Sequence, residues 1–513
     1  MDNSSFYRVA DGANSGCQVN GTIFGCNNIN GTPLGHAQVH VFKTTKRTDQ
    51  AESGEGDDVA NAYDVAAVYG GGNRADYVPG SSDTQQQTEV IIEGCGLTSI
   101  YQVYGGGNAA ATPGTLVTVK GTKMIYEVFG GGNGVSTTSF TNPGANVGYR
   151  TEKDESGQDV GYGGDNSGSA LVQLMAGRLI YAYGGSNTKG DIRSGSNVVT
   201  VDNQYVEGDV CCEHLEVDHM FGGGKNAGMK SGANIILGCS NSNSWVKEIY
   251  AGAENADVLG DVSLTITSGK FGRVFGGNKE SGKLEGSITV NIEENGQCGI
   301  PVIIGELYGG GNKAPYSIYG YDDAGTPKTS GSNPKPSPVV NVRAFTSIGN
   351  IFGGGYGERA VMYGSPTVNI NEIPNHKAGV TEFQGNAFAG QTLYFVNDVL
   401  DPSRTAAQEG DYVVTLPSHE DKKMGAIQNV FGGGNAAAVY GDTRVNIAVT
   451  STEPLQQLDA QGNPVYTDTT KTTPAKDQVT VVGADIRGNV YGGGNDAIVS
   501  GNTDVVIGRQ ATP

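Results

Sequence analysis

Apolar and polar residues alternate in short runs along the whole chain. Clear examples are Leu264-Thr265-Ile266-Thr267 and Thr289-Val290-Asn291-Ile292, in which every second residue is apolar. A period of two with β-branched residues, interrupted by Gly, is typical of short strands joined by turns. No stretch shows the sustained period of 3.6 residues and the caps of an amphipathic helix. The pattern therefore predicts an all-β protein.

A second pattern, an aromatic ring followed by glycines and Asn, recurs from one end of the chain to the other. Its full form is Val103-Tyr104-Gly105-Gly106-Gly107-Asn108. This form is kept at 68–73, 128–133, 307–312, 430–435 and 490–495, it is looser at 182–187, 220–226, 249–255, 274–278 and 351–355, and it is weakest at 23–27 and 387–390. These thirteen copies indicate a repeat fold.

The unit between two copies is too small to bury a hydrophobic face by itself. The segment from Tyr104 to Val128 is 25 residues long, and the step from Tyr250 to Phe275 is also 25. Stacked units would pair in parallel at about 4.8 Å and share one continuous core. We therefore predict a single-stranded parallel β-helix, or β-solenoid, of about thirteen irregular coils that runs through residues 1–513 as one body.

We expect the aromatic and amide positions to form structural ladders along the helix axis. The ring should lean outward over the glycines of a neighbouring turn. The Asn should adopt the left-handed region at a bend and pair with the Asn of the next coil. The glycines should adopt positive φ and permit close approach of adjacent turns. The predicted ladder residues are Tyr69, Tyr104, Phe129, Phe221, Tyr308, Phe352, Phe431 and Tyr491, with Asn73, Asn108, Asn133, Asn312, Asn435 and Asn495.

Two functional interpretations of the motif compete with this packing role. A glycine-rich phosphate cradle needs a strand-to-helix junction, and no helix follows the motif here. A row of exposed Tyr rings would suit sugar binding. Tyr and Phe interchange at this position, however, so the hydroxyl is optional. We therefore assign the motif to packing.

Five polar insertions interrupt the repeat, at 42–62, 134–167, 313–337, 401–423 and 450–477. Most of them leave the coil after the Asn corner or after a Val-x-Ile strand, so they should project from one or two faces of the stack. Such loops are the first candidates for recognition. The candidate ligand-binding residues are Tyr316, Tyr319, Tyr321, Asp322 and Asp323 in the third insertion.

Composition and charge narrow the classes of function. The chain has 82 Gly and 37% hydrophobic residues, which fits tight turns around a slim core. Its net charge of -20 disfavours nucleic acid and anionic lipid as partners. No apolar run is long enough to span a membrane, and the first residues lack the features of a signal peptide. We interpret the chain as a mature or excised part of a longer one.

No cofactor is predicted, and the acidic loops suit loosely bound Ca²⁺ at most. The densest group of metal-capable side chains, 211–214 with Asp218 and His219, lacks the spacing of a zinc site. The pairs Asp57/Asp58 and Asp322/Asp323 could serve a polysaccharide-cleaving β-helix. We recognise no cluster of Asp, His and Arg in neighbouring turns, so solvated acidic loops are the simpler interpretation.

The chain contains seven cysteines, an odd number. Cys95 and Cys239 occupy matching positions of the repeat, and we interpret them as small residues at turns. Cys17 and Cys26 are close enough in sequence to form a disulfide as the alternative. The pattern does not indicate the redox compartment.

The recurring motif, followed in several units by a Val-x-Ile or Val-x-Val strand, resembles the repeats of large secreted and cell-surface proteins of anaerobic gut bacteria. The resemblance covers nearly the whole chain and implies a right-handed parallel β-helix of the adhesin or stalk type. The right hand also agrees with the general crossover rule. The motif is specific for a repeat class and weak for any particular activity.

The resemblance implies a non-enzymatic, extracellular or cell-surface protein that presents its loops to glycans, matrix or other cell-surface molecules. One alternative is a polysaccharide lyase or hydrolase, or a tailspike-like depolymerase, on the same fold. Another is a purely structural shaft with no ligand. Glycan binding without product release would favour the first hypothesis, and sugar release would favour the second.

Overall fold

The structure is a computed structural model that describes residues 19–44, 63–81, 83–135, 144–163, 168–201, 214–239, 244–295, 298, 300–371, 392–396, 399–401, 403–417, 425–449, 455–456, 466–470, 473, 476–477 and 483–508. The regular elements of these ranges are β-strands, and the long sheets are parallel. The predicted all-β parallel β-helix is therefore confirmed.

The first long sheet, which we name the aromatic sheet, has 13 strands. Successive strands are one full turn of the coil apart, except that the last two lie in the same coil and both pair with Ala426–Phe431. Most of its strands end at the aromatic residue of the motif, because the glycines that follow bend the chain. The strands are Val19–Phe24, Val65–Tyr69, Ser99–Tyr104, Met124–Phe129, Gly177–Tyr183, Leu215–Phe221, Trp245–Tyr250, Gly269–Phe275, Val302–Tyr308, Ser347–Phe352, Ala426–Phe431, Asp485–Ile486 and Val490–Tyr491.

The second long sheet, the flanking sheet, has 12 strands in the same order along the axis. It contains the alternating Val-x-Ile segments. Its strands are Ala37–Val41, Thr88–Ile92, Thr115–Val119, Ala170–Leu174, Ser196–Thr200, Ala233–Leu237, Val262–Ile266, Ile288–Glu293, Val339–Ala344, Thr367–Ile370, Thr443–Ile447 and Thr503–Ile507. A short third side closes the coil, with Tyr316–Ser317, Met362–Tyr363 and Val439–Tyr440 as its paired strands.

Alternation along the strands sends one set of side chains into a single core. Val103, Val128 and Val117 are fully buried there. The register keeps equivalent residues together, since Val103 pairs with Val128 in the next coil. Full burial of an aliphatic side chain of this size contributes about 1.5–3 kcal/mol. The core therefore repeats its stabilisation at every coil.

The described stack has twelve coils, one per strand of the flanking sheet, in agreement with the predicted number of about thirteen. The weak motif at 387–390 lies outside the described residues. Phe352 pairs directly with Phe431, and their ring centroids are 4.7 Å apart. No coil fits between them, so the described residues from 392 to 417 lie outside the stack.

The predicted insertions differ in how much of each is described and in whether they pair with the coils. Most of 42–62 and of 450–477 lies outside the described residues. Within 134–167, Val147 still bridges Thr112 and Ile192, and the antiparallel strands Tyr149–Lys153 and Asp159–Gly161 project from it. The insertion predicted at 313–337 begins too early, because Tyr316–Ser317 pairs with Met362–Tyr363 as part of the coil.

The described residues between 392 and 417, which include most of the predicted insertion 401–423, form a small sheet outside the coils. Its antiparallel strands are Thr392–Val396, Val399–Leu400 and Tyr412–Thr415. Leu393, Phe395, Leu400 and Val414 form a buried apolar cluster with Ile303 of the aromatic sheet. We name this sheet, with the described residues between 392 and 417, the cover.

Candidate functional site

The aromatic residues of the motif form one continuous stack on the outside of the aromatic sheet. Successive ring centroids lie 4.5–5.1 Å apart and the rings are nearly parallel. The stack contains Phe24, Tyr69, Tyr104, Phe129, Tyr183, Phe221, Tyr250, Phe275, Tyr308, Phe352, Phe431 and Tyr491. The rings cover one another rather than the glycines, and those from Tyr104 to Phe352 are buried. The expected position over glycine was wrong, and this stack is not an exposed sugar track.

The Asn residues after the glycines form a second column beside the rings. The amide of Asn108 donates to Asn73 Oδ1 at 2.8 Å, and Asn133 donates to Asn108 at 2.8 Å. Further along, the same position bonds to a ring instead: Asn312 donates to the Tyr250 hydroxyl at 3.1 Å and Asn435 to that of Tyr308 at 3.2 Å. The predicted amide ladder is thus continuous only in part of the described stack.

The backbone at this corner differs from the prediction. Positive φ occurs after the Asn rather than at it, at Lys313, Ala436 and Asp496. The motif glycines do not have positive φ; they are needed for close approach. A Cβ on Gly105 would lie 2.3 Å from the carbonyl oxygen of Gly130 in the next coil.

A column of polar residues lies two positions before the rings and points to the same outer face. The register stacks Gln102, Glu127, Tyr181, His219, Glu248, Arg273, Glu306, Asn350 and Asn429. We name this set the polar column. Its acidic members are glutamates, so it differs from the cluster of Asp, His and Arg considered in the sequence, and the spacing of short motifs did not predict it. Aligning the repeats on the aromatic residue and reading two positions back would have found it.

The middle of the polar column is an interlocked acidic and basic cluster. His219 Nδ1 lies 3.0 Å from Glu248 Oε2, and the hydroxyl of Tyr250 donates to the same oxygen at 3.0 Å. Burial alone would raise the pKa of Glu248. The hydrogen bond and charge of His219 outweigh it, so the pKa of Glu248 is lowered.

Arg273 and Glu306 form a fully buried ion pair, with 0% side-chain exposure for both. The Nε of Arg273 donates to Glu306 Oε2 at 3.2 Å. Glu306 also accepts hydrogen bonds from Tyr308, Tyr412 and Asn350. Burial acts to lower the pKa of Arg273, but the charge of Glu306 outweighs this and raises it. The carboxylate of Glu306 therefore accepts hydrogen bonds from four donors.

The cover encloses this pair. The guanidinium carbon of Arg273 lies 4.4 Å from the ring centroid of Phe395 and 4.9 Å from that of Tyr412, both on the cover. Cations over aromatic faces are attracted by the ring quadrupole. The cover reaches this depth because the residues before the polar column are glycines here. A Cβ on Gly349 would lie 2.6 Å from Cγ1 of Val414.

The five candidate ligand-binding residues do not form one surface. Tyr316 is 3% exposed and Tyr321 is 7% exposed. The Tyr321 hydroxyl donates to the Pro315 carbonyl, and burial raises the pKa of Tyr321 to about 12. Tyr319 is half-buried, while Asp322 and Asp323 are exposed. The latter three residues are the ones that could touch a ligand.

The structure shows no group of three or more metal-capable side chains among the described residues. Residues 211–213 of the predicted cluster lie outside them. Asp218 bonds to Arg178 and Lys247 instead. No described residues form a helix long and apolar enough to cross a membrane. Whether a loop holds Ca²⁺ loosely stays a prediction.

The cysteines are not all isolated fillers at turns. Cys239 and Cys298 form a disulfide, and Cys95 is also disulfide-bonded. Cys26 is a free thiol, so the expected alternative bridge to Cys17 is absent. Cys26 occupies the position of the middle glycine of the motif, where burial raises the pKa of the thiol to about 12.

No protein-family model, curated protein or solved structure matches this chain. The resemblance to surface proteins of gut bacteria therefore stays a prediction.

Proposed function

We propose that the protein is a non-enzymatic, extracellular or cell-surface β-helix, an adhesin or stalk segment that presents its insertions to glycans, matrix or other cell-surface molecules. The observation that carries this proposal is that the charged side chains of the polar column contact one another rather than solvent. Glu248, Arg273 and Glu306 bond to their neighbours and are enclosed. The side chains best suited to chemistry therefore hold the rod together.

The disulfides support an extracellular location. Such bonds persist in oxidising compartments and are rare in a reducing cytosol. The link between Cys239 and Cys298 joins two coil ends that are 59 residues apart in sequence. A rod held by such a link is suited to conditions outside the cell.

The loop that follows Tyr316–Ser317 is the best described candidate for presentation. The side chain of Tyr319 is half-buried, and residues 328–336 are exposed to solvent. Asp322 caps the loop by accepting a hydrogen bond from the Thr326 amide, which leaves Asp323 more available to a ligand. An aromatic ring beside carboxylates is a common sugar-binding combination, because the ring packs on the apolar sugar face.

Binding of the full chain to a glycan array and to matrix proteins tests the proposal. We expect Tyr319→Ala and Asp323→Ala to weaken binding about tenfold or more, as for contacts in a small site. The matched control is Glu155→Ala, which removes an exposed carboxylate between the antiparallel strands Tyr149–Lys153 and Asp159–Gly161, and this variant should bind normally. Loss of binding in the control as well, or no binding to any surface, would leave the structural shaft as the better interpretation.

A second candidate, a polysaccharide lyase or hydrolase, is favoured by one observation. His219, Glu248, Arg273 and Glu306 follow each other in successive coils, and such groups can act as acids and bases. Release of unsaturated or reducing sugar would establish it, provided that Glu248→Gln and Glu306→Gln abolish the release. Loss on changing Asp322 and Asp323 to Asn would place the chemistry in the loop instead.

A further inference from the structure

The outer face of the flanking sheet carries a broad uncharged area. Every second side chain of its strands points away from the core, and the register stacks these side chains into columns along the coil axis. In six successive strands, from Thr115–Val119 to Ile288–Glu293, the second and fourth residues form two such columns of aliphatic, hydroxyl and amide side chains. These residues are Leu116, Thr118, Leu171, Gln173, Asn197, Val199, Asn234, Ile236, Ser263, Thr265, Thr289 and Asn291.

This face is accessible and large enough for a stable contact with another molecule. Ile236 at its centre is 40% exposed, and most of the other side chains of the two columns are partly exposed. The eight strands from Thr88–Ile92 to Val339–Ala344 span roughly 38 Å by 20 Å, or about 750 Å². A stable protein interface buries about 800 Å² on each partner.

Charged side chains lie at both margins of this face, two residues beyond the second column. Lys120 Nζ lies 2.6 Å from Glu93 Oε1 at one margin, and Arg343 pairs with Glu293 at the other. The order of charge along the axis is therefore negative, positive, four uncharged coils, negative, positive. The residues of the four uncharged coils at this position are Met175, Val201, Gly238 and Thr267.

This order of charge is complementary to itself when one copy is turned end over end. We propose that two copies of the chain bind each other through this face as a symmetric dimer with antiparallel coil axes. The two-fold axis runs parallel to the strands, between Ser196–Thr200 and Ala233–Leu237. Two sheets that pack face to face keep their strand directions nearly aligned, as this axis requires.

The charged pairs fix the register of the two copies. Glu93 of each copy faces Arg343 of the other, and Lys120 of each copy faces Glu293 of the other. A shift by one coil in one direction would instead set Glu93 against Glu293. A shift in the opposite direction would set Lys120 against Arg343. Because like charges across an interface oppose binding, the proposed register is favoured over both neighbouring ones.

The uncharged columns also match in this register. Near the axis an apolar side chain meets an apolar one and an amide meets an amide, while further out an amide meets a hydroxyl and a leucine meets a small hydroxyl residue. The facing residues are Val199 with Ile236, Asn197 with Asn234, Gln173 with Thr265, Thr118 with Asn291, Leu171 with Ser263, and Leu116 with Thr289. A contact in which each copy uses the same surface closes on itself, so association stops at two copies.

Sedimentation velocity of the full chain over a range of protein concentrations tests the dimer. We expect Ile236→Lys to raise the dissociation constant at least about tenfold, because it brings two like charges into the apolar centre of the contact. The exposure of Ile236 means that the fold should be retained. The matched control is Leu259→Lys, at a residue that is 39% exposed beside the bridge residue Val258 of the third side. This variant should associate like the unchanged chain.

Exchanging the charges within a pair tests the antiparallel register. Glu93→Lys combined with Lys120→Glu keeps the pair within each copy and the net charge, but it sets like charges against the other copy. We expect the dissociation constant to rise about tenfold, and Glu293→Arg combined with Arg343→Glu should have the same effect. A mixture of the two exchanged proteins should associate like the unchanged chain, because each exchanged pair then faces the other exchanged pair.

The outcomes distinguish this dimer from other uses of the face. A chain that stays monomeric at every concentration, or a dimer that Ile236→Lys leaves intact, would overturn the proposal. A dimer that is lost with Ile236→Lys but is not restored in the mixture would overturn the antiparallel arrangement. Binding of the monomeric chain to an insoluble neutral polysaccharide, lost with Ile236→Lys, would assign the face to that polymer instead of a second copy.

Discussion

The outer face of the aromatic sheet carries different residues in two parts of the rod. In its first part the residues just before the polar column are Tyr101, Tyr126 and Ile180, and we name this part the tyrosine half. In its later part the same position carries Gly272, Gly305 and Gly349, and we name it the glycine half. The tyrosine half packs large side chains against each other on the sheet. The glycine half leaves that space to the cover.

The polar column changes along with this position. In the tyrosine half, Glu127 is bonded to Gln102 and to Lys225, whose side chain is 29% exposed. In the glycine half, the charges of Arg273 and Glu306 are out of solvent altogether. The residue just before the polar column in each coil therefore decides whether an inserted sheet can dock there. An ion pair with both partners fully buried lies where the inserted sheet docks, whereas the Lys225 partner of Glu127 is partly exposed.

The largest effect should come from removing one partner of the ion pair in the glycine half. We expect Arg273→Ala to cost about 3–5 kcal/mol of unfolding free energy, because it leaves a buried carboxylate without its countercharge. Urea denaturation measures the cost. Lys225→Ala is the comparison in the tyrosine half, and it should cost clearly less because that lysine is partly hydrated. Equal costs would remove the distinction between the halves.

The next effect should come from filling the space under the cover. Gly349→Leu should cost about 1–3 kcal/mol through overpacking against the Gly305 carbonyl oxygen and Val414. It should also make the cover a preferred site of limited proteolysis. Val414→Ala in the same chain should recover part of the loss. Gly35→Leu is the control, since no heavy atom lies within 4 Å of a Cβ built there. A cover as resistant as before would show that the glycines do not govern docking.

Low pH should lower the free energy of unfolding through Glu248, which lies between the tyrosine half and the glycine half. Its pKa is lowered from the ordinary value of 4.5 in the folded protein. The ionised carboxylate therefore contributes stability that is present above that value and is lost as the pH falls through the lower folded value. Glu248→Gln should be destabilising at pH 7 and much less so at pH 3, by urea denaturation at both. A pH-independent difference would contradict this assignment.

The smallest effect should distinguish the two forms of the amide column. Asn133→Ala should cost about 0.5–1.5 kcal/mol, because it breaks the chain of amides from Asn108 to Asn187. Asn312→Ala should cost less, because the Tyr250 hydroxyl that it contacts keeps its bond to Glu248. Thermal unfolding of the two variants gives the order. The reverse order would show that the ring hydroxyls depend on the amides.

Much of the scaffold was predictable from local pattern. Alternation in segments such as Thr289-Val290-Asn291-Ile292 and the recurrence of the aromatic motif predicted parallel stacking, because strand periodicity and repeat spacing are written directly in the chain. The amide ladder around Asn108 followed from the same recurrence. The weak copy at 387–390 could not be assigned to a coil from sequence, since a short motif match does not reveal whether the copies on either side of it, at Phe352 and Phe431, pair directly with each other.

The candidate site was harder to predict, because its members meet only after the coils are stacked. Glu306 is 33 residues from Arg273 in sequence and 106 from Tyr412, and no short spacing marks them as partners. The burial of Tyr316 and Tyr321 depended on where the insertion leaves the third side, which a polar composition does not show.

The sequence by itself determined the repeat, the strands and the rings and amides of each coil, because these depend on residues close together in the chain. The tertiary structure alone decided which charges pair, which insertion folds back as the cover, and which cysteines join. Those outcomes depend on register between coils and on the space left by three glycines, and both exist only once distant segments are packed side by side.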